Sequence, residues 1–141
     1  MNTDTPINSN PGSAAARLTA SAPVLLVRDV VKSANHYRDA LGFSYERFWG
    51  EPPAFVILQR DGMCIMLNQA PGDHVIVPNW KVDPGIWNIY FWVSNADVLL
   101  AELKTRGASI DYDIHDKPYG IREFGVQDLD GYDIGFGHPI A

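Results

Sequence analysis

The residues able to do chemistry are few and dispersed. His36, His74, His115 and His138 stand apart, without the HxH or HExxH spacing that sets two imidazoles on one metal. Cys64 lies in the apolar run MCIMLN with no basic neighbour to lower its thiol pKa. The chain has no GxSxG elbow, P-loop or GxGxxG, so it lacks the local marks of nucleophilic, phosphate or dinucleotide chemistry. What remains is a set of aromatic, amide and acidic residues at strand spacing. In WNIYFWV, residues 87–93, alternation puts Asn88, Tyr90 and Trp92 on one face and Ile89, Phe91 and Val93 on the other. In REFGVQD, residues 122–128, the same rule sets Glu123, Gly125 and Gln127 opposite Phe124 and Val126. A face with an amide, two amphipathic rings and a carboxylate suits a small planar or cationic ligand. His115, at a strand end, offers a further hydrogen-bond donor. Trp49, Phe55, Trp80, Tyr112 and Tyr119 stand where they could border such a site. For each ring, core or interface packing is the competing reading; for Glu123 it is a solvated strand-edge charge.

The elements that must position these residues follow from the pattern. The chain has 141 residues, 46% hydrophobic and 20% charged, which suits one globular domain with a real core. A net charge of -6 argues against nonspecific nucleic-acid binding and mildly favours a neutral or cationic ligand. One cysteine rules out an intramolecular disulfide and agrees with a cytoplasmic setting. No apolar run approaches a membrane span, and the first residues lack the apolar core of a signal peptide. Residues 1–21, rich in Ser, Ala, Asn, Thr and Pro, read as a flexible tail.

The rest, 22–141, repeats one order of elements. PVLLVRD (23–29) reads as a buried strand; Asp29 is placed to cap a helix carrying Val31, Ala34, Tyr37 and Leu41, and Gly42 suits its exit. FSYERFW, AFVILQR and MCIMLN read as strands, the last two joined at Asp61-Gly62. After a linker at about 70–85 comes WNIYFWV, then a helix opening on Ser94 with Asp97 in a box-like arrangement and leaving at Gly107. ASIDYDI, REFGVQD and YDIGF follow, with Asp130-Gly131 at the final turn. The fold class is α+β: two tandem βαβββ modules, at about 22–69 and 86–138. Neither could bury its sheet alone, so the two should share a concave cleft.

These pieces, notably VRDVVKSANHYRDALGF, VSNADVLLAELKTRGA and REFGVQDLDGYDIGF, resemble the vicinal oxygen chelate superfamily, also called the glyoxalase/bleomycin resistance/dioxygenase superfamily. The resemblance implies paired modules forming a curved mixed sheet, a homodimer and a cleft. It also implies a divalent metal held by residues from the first and last strands of each module. Those positions fall here on Ala22 (or Pro23 or Val24), Met66, Asn88 and Gly135. A methyl, a thioether, an amide and a hydrogen atom are poor donors for such a metal. Gly135 then reads as empty space where a metalloenzyme of the family carries a carboxylate, or as a point of close backbone approach.

The resemblance is therefore nearest to the metal-free bleomycin-resistance branch, whose members sequester a ligand and perform no chemistry. It implies no cofactor and a small-molecule ligand, an antibiotic among the possibilities, bound by Asn88, Tyr90, Trp92, Met66, Trp49, Phe55, His115, Tyr119 and Glu123. The alternative is a lyase, isomerase or dioxygenase using Zn, Ni, Fe or Mn on other ligands, such as His74, His115 or Glu123.

Overall fold

The computed structural model describes residues 15–141. The expected tail over 1–21 lies mostly outside them; residues 15–23 carry no helix or strand. The first module runs β1 (Val24–Val27), α1 (Val30–Leu41), β2 (Phe48–Trp49), β3 (Phe55–Arg60) and β4 (Met63–Gln69). A linker with one short helix, α2 (Asn79–Val82), leads to β5 (Ile89–Trp92), α3 (Ala96–Arg106), β6 (Ser109–Asp116), β7 (Ile121–Gln127) and β8 (Asp133–Pro139). The sheets have equivalent orders, β1-β4-β3-β2 and β5-β8-β7-β6. In each, the first and last strands pair in parallel and the others antiparallel. The two tandem βαβββ modules are present as the repeat implies.

Local chemistry explains the element ends. Asp29 accepts from the Lys32 amide at 3.0 Å, opening α1, and Gly42 leaves the helix at φ 74°, a conformation natural to glycine. The corresponding cap of α3 is Asn95, which accepts from Val98 N at 3.1 Å. The expected cap at Ser94 is thus one residue early; Asn95 is the residue matching Asp29 in the repeat. The run FSYERFW forms only the two-residue β2, with an isolated bridge from Ser44 to Gln59. Short α2 follows Pro78 and carries no periodic pattern that could announce it.

Both modules turn their helix-side faces inward. Leu25, Val27, Val56, Leu58, Ile65 and Leu67 of the first sheet join Ile89, Phe124, Val126, Ile134 and Phe136 of the second in one core with Tyr37, Leu41, Leu100 and Leu103. Phe136 stacks between Phe91 and Phe124, at 5.7 and 5.2 Å.

Polar ties join the modules around this core, among them Arg28 N and the Ser33 hydroxyl donating to the Asp130 carboxylate, each at 2.9 Å. Arg60 forms a bidentate pair with Glu102 at 2.8 and 2.9 Å. The Tyr132 hydroxyl donates to Leu26 O at 2.6 Å. The wholly buried Tyr37 donates to Asp128 Oδ2 at 2.6 Å, while Asp128 Oδ1 accepts from the amides of Asp130 and Tyr132 across the last turn.

Burial pushes the Asp128 carboxyl up to about 6, against the opposing pull of the Tyr37 hydrogen bond. Its ionisation therefore costs stability as pH rises from about 4 to about 6. Removing the Tyr37 hydroxyl should raise that pKa further. Tyr37→Phe should cost ~1–3 kcal/mol above pH 6 by urea denaturation, with the loss shrinking towards pH 4.

Candidate functional site

The face of the second sheet turned away from the core is built in rows across its strands. Tyr90 on β5 registers with Gly135 on β8, Gly125 on β7 and Tyr112 on β6. The next row is Trp92, Gly137, Glu123 and His115. Two aromatic outer strands thus flank a strip whose three glycines carry no side chain.

Glu123 rises from that strip and is wholly buried. Its Oε1 accepts from the hydroxyls of Tyr90 at 3.0 Å and Tyr119 at 2.8 Å, and its Oε2 from Tyr112 at 2.5 Å. A buried carboxyl is tolerated only when hydrogen-bonded, and three phenols meet that need. Burial first, then the bond to Glu123, hold Tyr90 and Tyr112 well above the usual phenol range and push Tyr119 up to about 12. All three remain neutral donors at physiological pH. Neighbouring Arg122 points the other way, to Asp97 and Asp116, each at 2.9 Å. Glu123 is therefore a buried acceptor and not a solvated edge charge.

The glycines make room for rings from the same chain. A Cβ on Gly135 would stand 2.7 Å from Trp87 and 2.8 Å from Tyr90; one on Gly125 would stand 2.3 Å from Tyr112 and one on Gly137 2.1 Å from the Tyr90 hydroxyl. The space expected at Gly135 is thus occupied, and the expected close backbone approach is replaced by an approach of the Trp87 and Tyr90 rings. The approaching groups are side-chain rings, not backbone. The Trp87 indole N–H donates to the Tyr112 hydroxyl at 2.9 Å, extending the chain Trp87, Tyr112, Glu123.

The other expected site residues divide. Trp92 meets Tyr90 edge-on at 5.1 Å and is 67% exposed. Tyr119 is 57% exposed although its hydroxyl reaches inward. His115 is exposed and packs on Tyr112 at 5.7 Å, its Nδ1 2.9 Å from Asp113 O. Asn88 Oδ1 accepts from Asn79 N at 2.9 Å, so this amide holds α2 in place. Trp49, Phe55 and Met66 lie on the first sheet. There Trp49 and Phe55 pack at 5.8 Å, Arg47 covers Trp49 at 4.6 Å, and Met66 registers with Val24 and Ile57. A cavity of about 460 Å³ runs between the modules and shares Trp92 with this face, its lining also including Phe43, Phe91, Leu99, Leu103 and Phe136.

Trp87 and the glycine pair Gly125 and Gly137 carry the site but went unassigned as site residues. The signal available was glycine at alternate positions of two paired strands opposite tyrosines. The family's metal positions do not fit a metal. Val24 and Met66 face each other across one sheet, and Tyr90 and Gly135 across the other; Ala22 and Asn88 precede them. Among the described residues no group of three or more His, Cys, Asp or Glu is placed to hold a metal ion.

Tyr112→Phe leaves both the Trp87 N–H and Glu123 Oε2 without their partner. It should destabilise the fold by ~2–4 kcal/mol in urea denaturation, about twice the cost of one buried unpaired group.

Solved structures of other proteins share this architecture. The chain is similar to a glyoxalase-related enzyme from Clostridium phytofermentans, with a TM-score of 0.70, 18% identity and coverage of 91% of this chain and 100% of that one. It is similar to the bleomycin-binding protein of bleomycin-producing Streptomyces verticillus, solved with copper(II)-bleomycin, at TM-score 0.63, 22% identity and coverage of 90% and 99%. It is also similar to TioX from Micromonospora sp. ML1, at TM-score 0.64, 20% identity and coverage of 87% and 98%. No curated protein matches the sequence. The model of one family matches residues 19–136, which takes in the first module and the second as far as the middle of β8. The chain belongs to the Glyoxalase/Bleomycin resistance protein/Dioxygenase superfamily.

Proposed function

We propose that this protein binds and sequesters a small planar aromatic or cationic molecule without using a metal. The observation that carries the reading is the outer face of the second sheet. Exposed Trp92 and Tyr119 flank a buried carboxyl, and the family's metal positions hold no imidazole or carboxylate. Rings of this kind stack on planar and cationic groups. The copper(II)-bleomycin held by a relative of the same fold supports a ligand of this general kind.

The site is completed by a second copy of the chain in a homodimer. Val24 is 61% exposed and Trp49 38% exposed on the first sheet. Such apolar outer faces suit cover by the second sheet of a partner. Met66, Phe55 and Trp49 then form the wall opposite Tyr90, Trp92 and Tyr119. The net charge of -6 favours a cationic ligand over nucleic acid. No helix among the described residues is long and apolar enough to cross a membrane, and the single free thiol of Cys64 suits the reducing cytoplasm.

Proflavine, a planar aromatic cation, is a suitable probe. Binding should quench tryptophan fluorescence, and Trp92→Ala should weaken it roughly tenfold, with EDTA treatment changing neither affinity nor fold. Unchanged affinity in Trp92→Ala would place the ligand elsewhere. About one equivalent of tightly held Zn, Ni, Fe or Mn in elemental mass spectrometry would return the protein to the metalloenzymes of its family.

A further inference from the structure

A second acidic feature on the same sheet lies outside the tyrosine cluster. Asp133 opens β8 and is only 4% exposed, and its Oδ1 is buried without a hydrogen-bond partner. It registers with Gln127 on β7. Asp111, on β6 at the ladder irregularity between Ile110 and Tyr112, brings its carboxyl within hydrogen-bonding reach of Asp133. Burial, then Asp111, push the Asp133 carboxyl up to about 6, partly offset by a hydrogen bond from Gln127. Asp128 adds a third negative influence. Two carboxyl groups in contact repel unless a proton or a cation lies between them.

Resting on the reading of this face as a ligand site, we propose that Asp133 and Asp111 form its cation subsite, taking the ammonium group of an aromatic amine. Alternation places Asp133 on the face of Gly135, two residues before it, and Gly135 is covered by the rings of Trp87 and Tyr90. An aromatic amine lying against that wall brings its ammonium to the exposed carboxylate of Asp111, which lies against the buried Asp133. A primary ammonium has three N–H donors, and the two carboxyl groups offer it acceptors side by side. A hard divalent cation instead asks for six or more oxygen ligands. The described residues supply no cluster of three metal donors here.

The test compares tryptamine with its neutral isostere, indole-3-ethanol, by isothermal titration at pH 7.5 and low salt. Wild-type protein should bind tryptamine about tenfold tighter. Asp133→Asn and Asp111→Asn should each erase that preference while leaving indole-3-ethanol binding unchanged. Asp111 is exposed, so its variant carries the test if Asp133→Asn does not fold. Equal binding of the two compounds by wild-type protein, or a preference that survives both substitutions, overturns the cation subsite and leaves the aromatic face standing. Binding of neither compound overturns the face as an aromatic site and the subsite with it. A calcium or manganese binding heat that Asp133→Asn abolishes replaces the ammonium with a metal ion.

Discussion

A carboxyl group buried with three phenols as its partners is the constraint on which the second module depends. Glu123 has to be hydrogen-bonded, so Tyr90, Tyr112 and Tyr119 must converge on it from β5, β6 and the β6–β7 turn. Their rings then need volume directly over the sheet. Only residues without a side chain leave it, which explains Gly125, Gly135 and Gly137 on the two middle strands. Trp87 fills the space left over Gly135 and closes the network through Tyr112. Each substitution that looks weak in a strand, glycine above all, is thus required by a partner elsewhere on the face.

The core imposes the other half of the arrangement. Both sheets turn their aliphatic faces to α1 and α3, and Tyr37, Tyr132 and Arg60 tie the modules by polar contacts at the edge of the shared core. With those faces spent on stability, the opposite faces carry no part of the shared core. They differ in kind. The first sheet offers Val24, Met66, Phe55 and Trp49, an apolar surface. The second offers hydroxyls, indoles and carboxyls. A repeat of one fold has therefore produced two unlike walls.

The fold was legible because its signals are local. Asp29 and Gly42 bound a helix, Asp61-Gly62 and Asp130-Gly131 mark turns, and alternation in WNIYFWV sorts Ile89 and Phe91 from Tyr90 and Trp92. The interior of the site was only partly legible because its contacts are long-range. Glu123 pointing to the outer face follows from alternation, but its burial depends on Tyr112 and Tyr119 arriving from other segments. Asn88 lies on the expected strand end, yet its amide is engaged by α2, a four-residue helix with no periodic signal. Neither reading of Gly135, open space or close backbone approach, named the ring that covers it, because nothing local says that Trp87 folds back over it. The pairing of Asp133 with Asp111 spans two strands and a ladder irregularity, so no motif could reveal it.

The most direct test of the second-sheet face as the binding surface is to follow the four tryptophan indole N–H resonances by two-dimensional NMR while proflavine is added. Trp87 and Trp92 lie on or against that face, whereas the Trp80 indole is engaged with Gly131 O at 2.6 Å beside the last turn. The Trp87 and Trp92 signals should move together and saturably, with Trp80 unmoved. Saturable binding that leaves both Trp87 and Trp92 in place would contradict a site on that face.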